Sequence, residues 1–325
     1  MNSDAEAVET ALKAARKWAY NKKGVANNSA EIIVCEGNFA GRTISIVSFS
    51  SEPQYRAGFG PRTPGFVTVP FGDAAALERA INTNTAAFLF EPIQGEGAIR
   101  FPPQGYLRAI REICTRHNAL LLADEIQTGL GRTGDFLACN HENVMHDGLT
   151  LGKVLGGGLL PVSAFLARDD VMDVFSPGDH GSTFGGNPLA CAVASEALDV
   201  LQDENLLERA RLRGAQCREG LIAIRGGMIR QVRGRGLMLG VELDCDAAGG
   251  RMWAERLLTA GILTKETHGN VLRLAPPLVV SEAVVDQALQ AIRAVLGSRL
   301  GSKSRLPDVS PDCEAAAVPT GPVTQ

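Results

Sequence analysis

Two residues of this chain stand where a charged side chain has few uneventful uses. Asp124 closes the apolar run Ala119-Leu-Leu-Leu-Ala-Asp124, and ligands of open α/β sheets gather at the carboxyl ends of strands. Lys153 follows the apolar run Gly148–Leu151 and precedes the glycine cluster Gly156–Gly158. A lysine held in an apolar pocket has a lowered pKa and becomes a competent imine-forming nucleophile. Each residue alone has a plainer reading, Asp124 as a turn cap and Lys153 as a loop lysine. Those readings weaken together, because one strand–loop–strand unit separates the two and both side chains then reach the same sheet edge.

A third string, Asp179-His-Gly-Ser-Thr-Phe-Gly-Gly-Asn-Pro188, sets hydroxyls and glycines before a helix start, which suits phosphate binding or a helix cap. Gly129-Leu-Gly-Arg-Thr-Gly134 matches the dinucleotide pattern G-x-G-x-x-G. However, Asp124–Gln127 separates it from the strand and no acidic residue ends the next one, so a loop is expected. The five histidines (His117, His141, His146, His180, His268) show no metal-ligand spacing, and no metal is expected.

The elements that must hold these residues alternate along the chain. The spacing predicts a helix over Glu6–Tyr20, with Ser3 or Asp4 as N-cap. Strands are expected at Ile32–Cys35, Phe66–Val69, Ala86–Phe90, Ala119–Asp124, Gly148–Leu151 and Val162–Ala167. Most are continuous apolar runs, as in parallel strands covered on both faces. Helices are expected between them at Asp73–Ile81, Tyr106–His117 and Pro188–Gln202. The repetition means an α/β layer with right-handed crossovers. Past Asp203 the pattern shifts to Leu206–Ile224, Arg251–Ala260 and Glu282–Leu296 as helices. Ile229–Val232, Leu237–Leu243 and Val271–Leu274 read as short strands among them. The expected division is a large α/β domain over 1–203, a smaller α+β domain over 204–300, and a disordered Pro/Ser/Ala/Gly-rich tail over 301–325.

With 36 Asp+Glu against 32 Lys+Arg, the formal charge of −4 is near balance and points to neither nucleic acid nor an acidic membrane as partner. The 325 residues, 45% hydrophobic and 21% charged, suffice for a full globular core. No apolar run reaches a membrane-spanning length. The seven cysteines are scattered without a C-x-x-C, which argues against a disulfide framework or zinc cage and for a reducing compartment. The opening Met-Asn-Ser-Asp-Ala-Glu has no basic region of a targeting peptide. The expected compartment is the cytoplasm, with the mitochondrial matrix as the alternative. A carboxylate and an imine-forming amine at one sheet edge suit pyridoxal phosphate, whose ring nitrogen the acid keeps protonated and whose aldehyde the amine anchors.

Further strings agree with that cofactor. Asn38-Phe-Ala-Gly-Arg-Thr43, Gly58-Phe-Gly-Pro61, Pro64-Gly-Phe66, Glu91-Pro-Ile-Gln-Gly-Glu96 and Cys114-Thr-Arg-His-Asn118 come first. Asp124-Glu-Ile-Gln-Thr-Gly129, Gly152-Lys153, His180-Gly-Ser-Thr183 and Thr267-His-Gly-Asn-Val-Leu-Arg-Leu-Ala-Pro-Pro277 follow. In type and order, up to about Leu300, they resemble the class III pyridoxal-phosphate-dependent aminotransferases, and within them the ornithine branch.

The resemblance implies a fold-type I transferase. It implies ping-pong transfer of the δ-amino group of L-ornithine to 2-oxoglutarate, giving glutamate 5-semialdehyde and glutamate. It makes Lys153 the amine that binds the cofactor and shuttles the proton, and Asp124 the partner of the pyridine nitrogen. Gln127 would bond the ring's 3-oxygen and Phe39 would stack on its face. The phosphate would meet the N–H groups of Ser3, Asp4 and Ala5, with Ser182 and Thr183 added, Thr183 from the opposite copy of a homodimer. Arg273 would take the α-carboxylate of 2-oxoglutarate and Arg42 the distal one, while Glu96 pairs with Arg273 when ornithine is bound. Against the pattern, Met1 falls inside the family's cofactor domain, so the chain reads as N-terminally truncated. Asp4 stands where glycine is usual, and Ala40 where a large side chain is common. Two alternatives stay open: a catalytically defective aminotransferase-like subunit, or another ω-aminotransferase such as acetylornithine aminotransferase.

Overall fold

The computed structural model describes residues 1–224, 227–246 and 249–297; the tail expected over 301–325 lies outside the described residues. The chain opens with α1 (Asp4–Trp18), which a π-helical turn, Ala19–Lys23, extends to Gly24 in the left-handed region. Ser3 starts α1 through a capping box. The Glu6 N–H donates to Ser3 Oγ at 3.3 Å, and the Ser3 N–H donates to Glu6 Oε2 at 2.7 Å. There follow β1 (Glu31–Cys35), α2 (Ile44–Phe49), α3 (Pro53–Arg56), β2 (Phe66–Val69), α4 (Ala74–Ala80), β3 (Thr85–Phe90), α5 (Tyr106–Arg116), β4 (Leu120–Asp124), β5 (Gly148–Leu151), β6 (Ala164–Ala167), α6 (Asp169–Met172) and α7 (Pro188–Asp203).

These strands form one six-stranded sheet in the order β2-β1-β3-β4-β5-β6. Five of them run parallel; β6 runs antiparallel to β5. The continuous apolar runs are explained by cover on both faces. Ile33, Phe88, Phe90, Leu121 and Ala123 pack into one core with α4 and α5. Their alternating neighbours Ile32, Val34, Leu89, Leu120 and Leu122 pack into a second core against α1. Burying each Leu or Phe contributes roughly 1.5–3 kcal/mol, so a polar residue at any of these positions needs a compensating role.

The remainder comprises α8 (Leu206–Ile222), β7 (Ile229–Arg235), β8 (Met238–Leu243), α9 (Gly249–Thr259), β9 (Lys265–Thr267), β10 (Val271–Leu274) and α10 (Glu282–Leu296). Its strands make a separate antiparallel sheet in the order β7-β8-β10-β9. Leu239, Val241, Leu272, Trp253 and Leu296 form its core. A small cluster of Ile93, Ile99, Ala138 and Met238 packs the loop after β3 against β8. Among the described residues no helix is long and apolar enough to cross a membrane.

Candidate active site

A cavity of about 250 Å³ lies at the carboxyl ends of β3, β4 and β5, with the first turn of α1 as its far wall. β4 and β5 are hydrogen-bonded neighbours, with Asp124 opposite Thr150, so Asp124 and Lys153 leave the sheet side by side. Lys153 enters a short 3₁₀ turn with φ of +44°. That conformation costs a side-chain-bearing residue of order 1–3 kcal/mol and is held by its surroundings.

Asp124 is buried and accepts from the Ile126 N–H at 3.1 Å. It has no salt-bridge partner among the described residues. Burial pushes its carboxyl up to about 6, against the pull of that N–H and of Lys153. Glu91, at the end of β3, lines the same cavity and accepts from the Phe39 N–H at 3.1 Å. Burial, then the nearby Asp124 charge, lift Glu91 to about 8. Gln127 also lines the cavity, and its buried amide oxygen has no donor among the described residues. It lies over Gly95, where a Cβ would come within 1.3 Å of that oxygen; any larger residue at 95 would displace it.

Ser3, Asp4 and Ala5 turn the start of α1 toward the cavity. The Asp4 carboxylate reaches across it, accepting from the Lys153 N–H at 3.3 Å and lying 3.8 Å from Lys153 Nζ. Gly152 permits this, since a Cβ there would sit 2.0 Å from Asp4 Oδ1.

A second cavity of about 550 Å³ adjoins the first, Phe39 lining both, and is bounded by Tyr55, Glu96, Lys265 and His268. Here Glu96 bridges two cations. Its Oε1 pairs with Arg273 and its Oε2 accepts from Lys265 Nζ at 2.9 Å. Burial alone would raise the Glu96 pKa; Lys265 and Arg273 overcome that pull and hold it below the usual carboxylate range. The loop carrying Glu96 is pinned from β7, where the Arg233 guanidinium donates to the carbonyls of Ala98 (2.8 Å) and Ile99 (3.0 Å). Ala98 and Ile99 both hold positive φ, +72° and +50°.

The structure thus gathers Lys153, Asp124, Gln127, Phe39, Asp4 and Ala5 around one cavity and pairs Glu96 with Arg273 beside the next. Arg42, Ser182 and Thr183 do not line the first cavity. Arg42 is exposed and stacks 4.1 Å over the Tyr55 ring. The Ser182 hydroxyl donates to Glu6 Oε1 at 2.9 Å and so braces the α1 cap. Thr183 is exposed. The third string ends as a helix cap, with Asn187 accepting from the Ala190 N–H at 2.9 Å. Sequence reasoning left out Glu91, Lys265 and Arg233. Glu91 carries the signal that singled out Asp124, an acid closing an apolar run, whereas Lys265 and Arg233 act only through long-range pairing.

Comparison with known proteins decides what this arrangement belongs to. The family described as aminotransferase class-III matches residues 1–296. The chain belongs to the class III aminotransferases. Within that family it is 55% identical over 296 residues to an ornithine aminotransferase of Bordetella pertussis, covering 91% of this chain and 72% of that one. A solved ornithine aminotransferase of Toxoplasma gondii, with PLP at partial occupancy in its active site, superposes with a TM-score of 0.88 at 49% identity. That match covers 90% of this chain and 70% of the other. An acetylornithine aminotransferase of Elizabethkingia anophelis matches with a TM-score of 0.80 at 46% identity, over 91% and 73% of the two chains. The nucleotide-binding reading of Gly129–Gly134 has no place in a transaminase, and that segment is a run of turns.

Class III aminotransferases depend on pyridoxal phosphate, and the residues of the first cavity fit it. Among the described residues the Gln127 amide oxygen has no donor and the buried Asp124 carboxyl has no salt-bridge cation, and a protonated ring with a 3-oxygen would bring a partner to each side chain. The N–H groups opening α1 suit a phosphate. Asp4 is set against that anion; its side chain is about one-third exposed.

Proposed function

We propose that this chain transfers the δ-amino group of L-ornithine to 2-oxoglutarate, giving glutamate 5-semialdehyde and glutamate in two half-reactions. The observation that carries the reading is the Glu96–Arg273 pair beside the cavity that adjoins the one holding Lys153 and Asp124. The likeness to the curated ornithine aminotransferases supports it.

Pyridoxal phosphate, when bound, supplies an aldehyde and an electron-withdrawing ring that stabilises negative charge on the adjoining substrate carbon. Lys153 would hold that aldehyde and would serve as base and then acid for the substrate proton. Asp124 would pair with the protonated ring nitrogen, burial making that charge pair strong. Gln127 would donate to the ring's 3-oxygen, and Phe39 would lie against the ring. Asp4 and Ala5 would offer backbone N–H groups to the phosphate, the Ser3 N–H being taken by Glu6 Oε2, joined by Ser182 and Thr183, with Thr183 reaching from the other copy of a homodimer.

Arg273 is the α-carboxylate receptor for 2-oxoglutarate, and Arg42, near Tyr55, takes the distal carboxylate. While Glu96 pairs with Arg273, that guanidinium offers no free charge to the substrate's α-carboxylate, so ornithine enters by its δ-end. The chain purified with pyridoxal phosphate, L-ornithine and 2-oxoglutarate should form glutamate 5-semialdehyde, trapped with o-aminobenzaldehyde. Arg273→Ala should weaken 2-oxoglutarate by roughly a hundredfold, the worth of a bidentate charged pair. Turnover of N-acetylornithine in preference to ornithine would move the assignment to that neighbouring activity.

A further inference from the structure

Glu96 cannot release Arg273 without going somewhere. A carboxylate freed inside a half-buried rim would either be left unpaired or repel the incoming 2-oxoglutarate. Its loop cannot carry it away: Arg233 fastens the carbonyls of Ala98 and Ile99, Ile99 is fully buried, and Gln94 and Arg100 bond each other in both directions at 3.0 and 2.9 Å. The motion left to Glu96 is rotation of its own side chain.

The partner for that rotation is already in contact. Lys265 on β9 is paired in register with Arg273 on β10, so the two cations stand directly opposite on neighbouring strands. Like charges facing each other across strands are destabilising on their own. Glu96 divides its two oxygens between them, and Lys265 keeps more than half of its side chain exposed, free to follow.

We infer that Lys265 is a positioning residue that receives Glu96 when Arg273 turns to a substrate carboxylate. This rests on the proposed exchange of Glu96 for 2-oxoglutarate at Arg273. With Lys265 present, breaking the Arg273 contact leaves Glu96 still ion-paired, which lowers the cost of admitting the dicarboxylate. Without it, Glu96 has Arg273 as its sole partner and competes harder. The ornithine half-reaction, in which Glu96 stays on Arg273, draws no such help from Lys265.

The test is a cycle of Lys265→Met, Glu96→Ala and the double variant in the pyridoxal-phosphate-loaded enzyme, with each half-reaction followed separately. Lys265→Met is expected to raise the half-saturating concentration of 2-oxoglutarate roughly fivefold, the scale of a part-exposed ion pair, and not that of ornithine. In the Glu96→Ala background the same substitution should have no effect on 2-oxoglutarate. Lys265→Arg, which keeps the charge, should restore the wild-type value. A penalty that persists without Glu96 would make Lys265 a direct carboxylate ligand and overturn the inference. Equal losses for both substrates would reduce Lys265 to a structural role and overturn it also. If Glu96→Ala alone fails to tighten 2-oxoglutarate, the exchange at Arg273 is itself wrong, a failure distinguishable from the others.

Discussion

Glu91 and Asp124 at the cavity floor and Glu96 at its rim are acids of one site with opposite electrostatic settings. Of the floor acids Asp124 is buried and Glu91 half-buried, neither with a salt-bridge cation among the described residues, so both hold protons more tightly than usual, Glu91 to about 8 and Asp124 to about 6. The rim acid bridges Arg273 and Lys265 and holds its proton more weakly. The difference lies in what each region awaits. A floor built from two carboxyls without a salt-bridge partner among the described residues and a Gln127 amide oxygen without a donor is completed by a ligand that brings its own positive charge and stays. A rim whose acid is already shared between two cations is built for exchange, because one pair can be traded for another of similar strength.

The largest way to break this comparison is at Lys153. Lys153→Ala should lower turnover by at least about a thousandfold, the loss of the proton carrier and the cofactor anchor together, read by single-turnover absorbance. Asp124→Asn should reduce the rate by roughly a hundredfold through loss of a preorganised charge, while borohydride still fixes cofactor to Lys153. Retention of full activity in Asp124→Asn would mean that the floor's charge is idle.

How much of this was legible beforehand depended on the range over which each residue acts. β1, β3, β4 and β5 were readable because cover on both faces leaves unbroken apolar runs, and the acid ending β4 and the lysine following β5 stood out against them. Of the two expected N-caps Ser3 is the one used, so α1 begins at Asp4, two residues before the expected Glu6, and the expected run to Tyr20 ends in a π-turn. The strand expected from Val162 begins at Ala164 and runs antiparallel as the sheet's edge, an orientation that no local apolar pattern encodes. α2, α3 and β9 are too short for periodicity to show. The register of Lys265 against Arg273 is decided by two strands meeting, and Arg233's grip on the Glu96 loop crosses more than 130 residues of chain.

Two smaller effects sharpen the contrast between floor and rim. Glu91 has its folded pKa raised, so in the cofactor-free protein its penalty is absent below the unfolded value near 4.5. The penalty grows as pH rises and is complete above about 8. Glu91→Gln should therefore match the parent in urea unfolding at about pH 3.5 and exceed it at pH 9 by several kcal/mol, at most about 5 for that shift; equal midpoints at both pH values would show that the carboxyl is not held in the low-dielectric floor. Asp4→Gly should tighten pyridoxal phosphate binding by roughly tenfold, by removing an anion from beside the phosphate, measured by fluorescence titration of the cofactor-free protein. Weaker binding would show that Asp4 serves the site through its contact with Lys153.

The most direct test of the account is where the cofactor attaches. Borohydride reduction of the protein mixed with pyridoxal phosphate, followed by tryptic mapping, should place the pyridoxyl label on the peptide containing Lys153. A label on another lysine, or none, would contradict the account at its centre.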